Sequence, residues 1–199
     1  MRTAAAVAVL LASLAAEARA EFHLSGGLGY GLAGYDPCRF PDRNCDYAPT
    51  RTDGASPLLG VGLRARRPLR DGAVQLRYGA SGTFLIVPER RDEEHYRDIS
   101  GSVATAAGEL GLERGVWSID MVAGLSRIRL TDEQMAANRV ALAVGYVGAV
   151  RLNRNVSLFV RADAHAMMHG DAAAVFLGAG FEWVPDLQSS TAAAPAARR

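Results

Sequence analysis

After its first twenty residues, this chain of 199 residues has no stretch approaching the ~20 consecutive apolar residues that a membrane-spanning helix needs. Residence in a bilayer is open to it only as a closed barrel, the other structure that pairs every backbone polar group internally. Lysine is missing: all 22 basic residues are arginine, which we attribute to genome composition. With 21 acidic residues against them the net charge is +1, which leaves no basic footprint for nucleic acid. Cysteine is limited to two positions, and no internal repeat exists beyond a succession of hairpins.

The first twenty residues have a positive start at Arg2, an apolar stretch over 4–16 and the small-residue sequence Ala18-Arg19-Ala20. This is the pattern of a secretory signal peptide cleaved near Ala20. Residues 21–185 then form one domain, and 186–199, low in complexity and ending AAAPAARR, form a disordered periplasmic tail. In an exported protein the close pair Cys38 and Cys45, in CRFPDRNC, reads as a disulfide clamping a loop. A metal site would want a further Cys or His nearby, and none is adjacent.

From Glu21 onward apolar residues alternate with small or polar ones. Over 140–153, Val140, Leu142, Val144, Tyr146, Val150 and Leu152 share one face, and Ala141, Ala143, Gly145, Ala149, Arg151 and Asn153 the other. Side chains of a strand point alternately to its two faces, so this period of two marks a strand. Eight such runs occur, at 22–34, 59–65, 74–86, 100–112, 117–126, 140–153, 156–165 and 175–183. A soluble barrel would need a charge-rich outer face. Here the second face is mostly Gly, Ala and Ser with one or two charges per strand, which suits a narrow polar interior. The expected fold is all-β: an eight-stranded antiparallel up-and-down transmembrane β-barrel.

With the N-terminus in the periplasm, Phe22, Trp117, Phe181 and Trp183 fall at one edge, where an aromatic girdle is expected, while Tyr146 falls mid-membrane. The connections at 66–72, 113–115 and 153–155 are short. Longer outer loops are expected at 35–57 and 88–98, an intermediate one at 131–138, and a tight one around His169-Gly170-Asp171. Short inner turns with longer outer loops are an outer-membrane signature.

These features over 21–185 resemble the small outer-membrane barrels of the OmpA/OmpX-like family. Phe181 and Trp183 look similar to the aromatic ending of that family's last strand, although fourteen residues follow Pro185 here. The tail is too short for a peptidoglycan-binding domain. The resemblance implies a fold and a Gram-negative outer-membrane location; it does not specify a function.

The residues that bear on function are few. Parity puts Arg64, Arg77, Glu109, Asp120, Arg151, Arg161, Asp163 and Glu182 inside, with Arg77, Glu109, Asp120 and Arg161 at similar depth. Interior charges must pair, so a structural ion-pair network that plugs the barrel is expected. A narrow channel is the alternative, although eight strands are too few for an open aqueous pore. Asp163, His165 and His169 also share the inner face, where an acid–base pair or a metal site competes with plain hydrogen-bonded histidines. His23 and His95 stand isolated. Enzymes resembling lipid A deacylases carry a His and a Ser two residues apart. Here Met167 follows His165 and Asp171 follows His169, so that motif is absent.

The mixed-charge run PERRDEEHYRD offers Arg90 and Arg91 to lipopolysaccharide phosphates. No catalytic residue, metal or cofactor is assigned. The expectation is a monomeric, non-enzymatic protein of the cell envelope, either structural or binding an extracellular protein or surface ligand through its outer loops. A lipid-modifying enzyme is the rival.

Overall fold

The computed structural model describes residues 21–35, 50–69, 72–92, 97–131, 136–167 and 172–185. They form eight strands: β1 (Glu21–Tyr35), β2 (Thr50–Pro68), β3 (Gln75–Asp92), β4 (Arg97–Arg114), β5 (Trp117–Thr131), β6 (Ala136–Arg151), β7 (Val156–Ala166) and β8 (Ala172–Trp183). Each strand pairs antiparallel with the next, and β8 pairs with β1 to close the barrel. The expected signal peptide, the Cys38–Cys45 pair, His95, His169 and the C-terminal tail all lie outside the described residues.

Following paired residues around the barrel from Leu24 leads through Val61, Gly82, Ala106, Leu125, Leu142, Ala166 and Ala173 to Gly34, a stagger of ten residues. Such a shear tilts the strands by roughly 35–45° and leaves an interior that side chains can fill. The alternation follows the faces. From Leu158 in β7, and along β8 apart from the half-buried Gly178, every second residue is buried and the intervening ones are exposed, with Val160, Val175, Leu177 and Phe181 outward. Tyr146, outward at mid-strand, is 61% exposed. The outside is therefore a continuous apolar belt, the face a barrel turns to lipid.

At one end the strands join through tight turns. Gly72 (φ 67°) and Gly115 (φ 62°) take the left-handed conformation that a residue with a Cβ rarely adopts. In the third turn the Asn153 side-chain oxygen accepts from the backbone N–H groups of Asn155 and Val156, at 2.8 and 2.9 Å. Asn155 Nδ2 donates to the Val184 carbonyl, tying that turn to the end of β8.

The other end differs from the sequence reading. The stretch 50–57, expected as loop, belongs to β2, paired with β1 as far as Thr50↔Tyr35. Most of the loop expected at 88–98 is also strand: Arg90 and Arg91 pair with Ile99 and Asp98, and the ladder runs to Asp92↔Arg97. Polar sequence hid these extensions, because strands that project beyond an apolar belt no longer alternate. Here the sheet also divides. The β2–β3 ladder stops at Leu58↔Leu85, beside Pro57 and Pro88, which have no N–H to continue it. Beyond that point Thr52 Oγ1 donates to the Pro88 carbonyl at 2.7 Å. The β6–β7 ladder stops at Leu142↔Ala166 while β6 continues along β5 to Ala136↔Thr131. The outer ends of β3, β4, β5 and β6 thus form a four-stranded sheet, separate from that of β8, β1 and β2.

The interior is not polar throughout, as the small residues of the sequence suggested. Toward the divided end it holds a packed apolar layer that includes Leu58, Leu85, Val87, Val103, Ile128, Leu130 and Phe176. Burying each such side chain contributes roughly 1.5–3 kcal/mol. Above it Arg139 Nη2 donates to Tyr35 Oη at 2.7 Å, with the guanidinium 4.9 Å from the ring centroid, which links β6 to β1 over the shorter β7 and β8.

Inward glycines make room for interior rings. A Cβ on Gly62 would lie 2.5 Å from Cε1 and 2.6 Å from Nε2 of His23, and 2.8 Å from the Ala80 carbonyl oxygen. Gly148, on the outward face of β6 with nothing within 4 Å of its Cβ position, is the unobstructed control. Gly62→Ala is expected to cost about 1–3 kcal/mol through overpacking. Gly148→Ala should be neutral or slightly stabilising in the same urea titration. Equal effects at the two sites would contradict the packing of His23 on β2.

Candidate functional site: the charged interior

Charges occupy the inside of the turn end. From β2, Arg64 reaches across the lumen to two other strands: its Nη1 lies 2.6 Å from Glu182 Oε1 on β8 and its Nη2 3.0 Å from Glu109 Oε2 on β4. All three residues are buried. Two charge-assisted hydrogen bonds from one fork of donors offset the cost of taking these ions out of water. From β3, Arg77 Nη2 sits 3.2 Å from Asp120 Oδ2 on β5. From β7, Arg161 Nε contacts Asp163 Oδ2 at 2.5 Å along its own strand.

The four charges expected at one depth thus divide: Glu109 joins Arg64, Asp120 joins Arg77, and Arg161 turns to Asp163. Arg161 still lines the same small cavity as Arg64, Glu109 and Glu182.

A second centre was missed in the sequence. Glu113 is buried and receives Arg66 Nε at 3.1 Å, Arg77 Nη1 at 3.7 Å and a close contact from Arg151 Nη2. Arg66 also binds Glu21, Nη1 to Oε1, at 2.7 Å. The sequence pattern assigns Glu113 and Arg66 to turns, yet it also carries the signal: Glu113 is four residues from Glu109 and Arg66 two from Arg64, so each shares its neighbour's inward face. His23, read as isolated, is buried over Gly62 and lines the cavity with Arg64 and Glu182.

That cavity has a volume of about 20 Å³, room for a water-sized group and not for a substrate. Asp163 and His165 both face inward, but Asp163 is engaged by Arg161, and His165 is 3% exposed between its small paired neighbours Ala143 and Ala174. No cluster of three or more His, Cys, Asp and Glu suited to a metal ion occurs among the described residues. On the outer surface Trp117, Phe181 and Trp183 are exposed near the turn end and Phe22 is half-buried there. Arg90 and Arg91 lie at the opposite end, in the projecting part of β3.

A closed eight-stranded barrel with an apolar outside and a filled interior defines the class: a small transmembrane β-barrel. No protein-family model matches the chain, and no curated protein sequence is detectably similar to it. Among solved structures the fold is similar to that of Neisserial surface protein A, with a TM-score of 0.53 at 14% identity over 82% of this chain and 97% of that one. Ail, the attachment invasion locus protein of Yersinia pestis, in complex with the heparin analogue sucrose octasulfate, gives a TM-score of 0.49 at 12% identity over 82% of this chain and 99% of its own. At 14% identity the likeness to Neisserial surface protein A is one of fold.

Proposed function

We propose that the protein is a non-enzymatic outer-membrane barrel that presents its projecting sheet to a partner outside the cell. The observation that carries this reading is strand length. A tilted strand crosses a bilayer with ~9–11 residues, and β7 and β8 have 11 and 12. In contrast, β1 has 15, β2 19, β3 and β4 18 each, β5 15 and β6 16; because the β2–β3 and β6–β7 ladders stop early, the excess of β3 to β6 forms a sheet of its own standing clear of the apolar belt on one side. The filled interior supports the same reading, since it leaves the outer surface as the place for recognition. The enzyme alternative has less support, because the acid–base pair Asp163 and His165 is enclosed and Asp163 is held by Arg161.

The test shortens the projection. Replacing residues 88–100 by a two-residue Asn-Gly turn cuts the β3–β4 ladder back to Val87↔Gly101 and leaves the belt intact. Surface adhesion or envelope resistance to detergent should fall in a strain carrying this variant and persist with His165→Ala. Altered lipid A with His165→Ala in a folded barrel, or no change on shortening, would replace this proposal with the enzymatic or a purely internal role.

A further inference from the structure

The turn end of the barrel carries a repeated pair that the interior network does not use. Each of the three turns presents one exposed arginine and one exposed aliphatic residue: Arg67 with Leu69, Arg114 with Val116, and Arg154 with Leu152. Arg66 and Arg151, on the same hairpins, turn inward to Glu113. Arg67 and Arg114 follow strand parity to the opposite, outward face, and Arg114 pairs in register with Trp117. None of the three exposed arginines has a hydrogen bond or an ion pair with another described residue. Over 66–72, 113–116 and 151–155 the sequence has six arginines, two aspartate or glutamate residues and no lysine.

We infer that this rim binds the headgroups of anionic phospholipid in the leaflet around it. Two features fit that occupant and no small soluble anion. The three cations sit at the border of the apolar belt, where a bilayer places its phosphates, and each has an exposed aliphatic neighbour that can enter the acyl boundary. Exposed Trp117 and Trp183 lie at the same border, where amphipathic rings settle at headgroup depth. Guanidinium groups bind phosphate oxygens through two parallel N–H donors, and each basic side chain near an anionic surface contributes about a fivefold gain in local affinity. The site continues the lipid-facing surface already described and is independent of what the projecting sheet binds.

The two tryptophans of the chain are Trp117 and Trp183, so tryptophan fluorescence, excited where tyrosine does not absorb, reports on this rim alone. The full-length protein is folded into phosphatidylcholine vesicles containing phosphatidylglycerol, with bromine placed on one lipid or the other. In the wild type, brominated phosphatidylglycerol should quench more strongly than its bulk fraction predicts, with a local enrichment of about fivefold. The enrichment should disappear in the R67Q/R114Q/R154Q variant, whose folding is checked by heat-dependent gel mobility. Quenching in proportion to bulk composition in the wild type, or an enrichment that survives in the variant, would overturn the inference. Co-sedimentation of the wild type, but not the variant, with isolated cell-wall polymer, without lipid enrichment, would overturn it in favour of a different partner.

Discussion

Arg64→Leu is expected to destabilise the barrel by about 3–5 kcal/mol, the largest effect of any single interior substitution. The guanidinium is the cation nearest to both Glu109 and Glu182, so its loss leaves two buried carboxylates facing one another with their charge uncompensated. The cost arises from that uncompensated charge. A buried ion set replaced as a whole by neutral groups of similar volume is often no less stable than the original. The triple variant Arg64→Leu, Glu109→Gln, Glu182→Gln should therefore recover most of the loss. Urea unfolding from lipid vesicles measures the wild type, Arg64→Leu, the double variant Glu109→Gln, Glu182→Gln and the triple variant, and the cycle among these four isolates the coupling. An Arg64→Leu barrel within about 1 kcal/mol of the wild type would show that the network does not hold β2, β4 and β8 together.

The second large effect is expected on the opposite face. Val144 points outward midway along β6, between its paired neighbours Ala123 and Ala164. Val144→Arg places a charge at the depth of the hydrocarbon centre, with an expected cost of about 2–4 kcal/mol. Leu152, equally exposed but in the third turn, is its control: Leu152→Arg should cost about 0–1 kcal/mol, because the penalty falls toward the interface. An exposed position on a soluble barrel would accept arginine at either depth without measurable change. A pair of values that does not depend on depth would therefore contradict a barrel immersed in lipid.

The two predictions draw on different kinds of information. That Val144 faces out and Ala143 faces in was legible in the sequence, because a strand's period of two is a local property and every residue carries it. The same parity put Arg64, Glu109 and Glu182 inside. It also contained the inward position of Glu113, which was obscured only by assigning that residue to a turn. The number of strands and the short turns at one end were legible for the same local reason. Which charges meet was not legible. Arg64 is 45 residues from Glu109 and 118 from Glu182, and their contact depends on a stagger of ten residues accumulated over eight pairings. An error of one register step anywhere would bring different partners together. The outer extensions of β2, β3 and β4 were hidden in another way. Once a strand leaves the apolar belt, hydrogen bonds to its neighbours sustain it and its side chains need no pattern. Thus local alternation determined the barrel and its two faces. Only closure of the sheet decided the ion pairs, the apolar layer above them and the divided sheet at the outer end, because each depends on registers between strands distant in the chain.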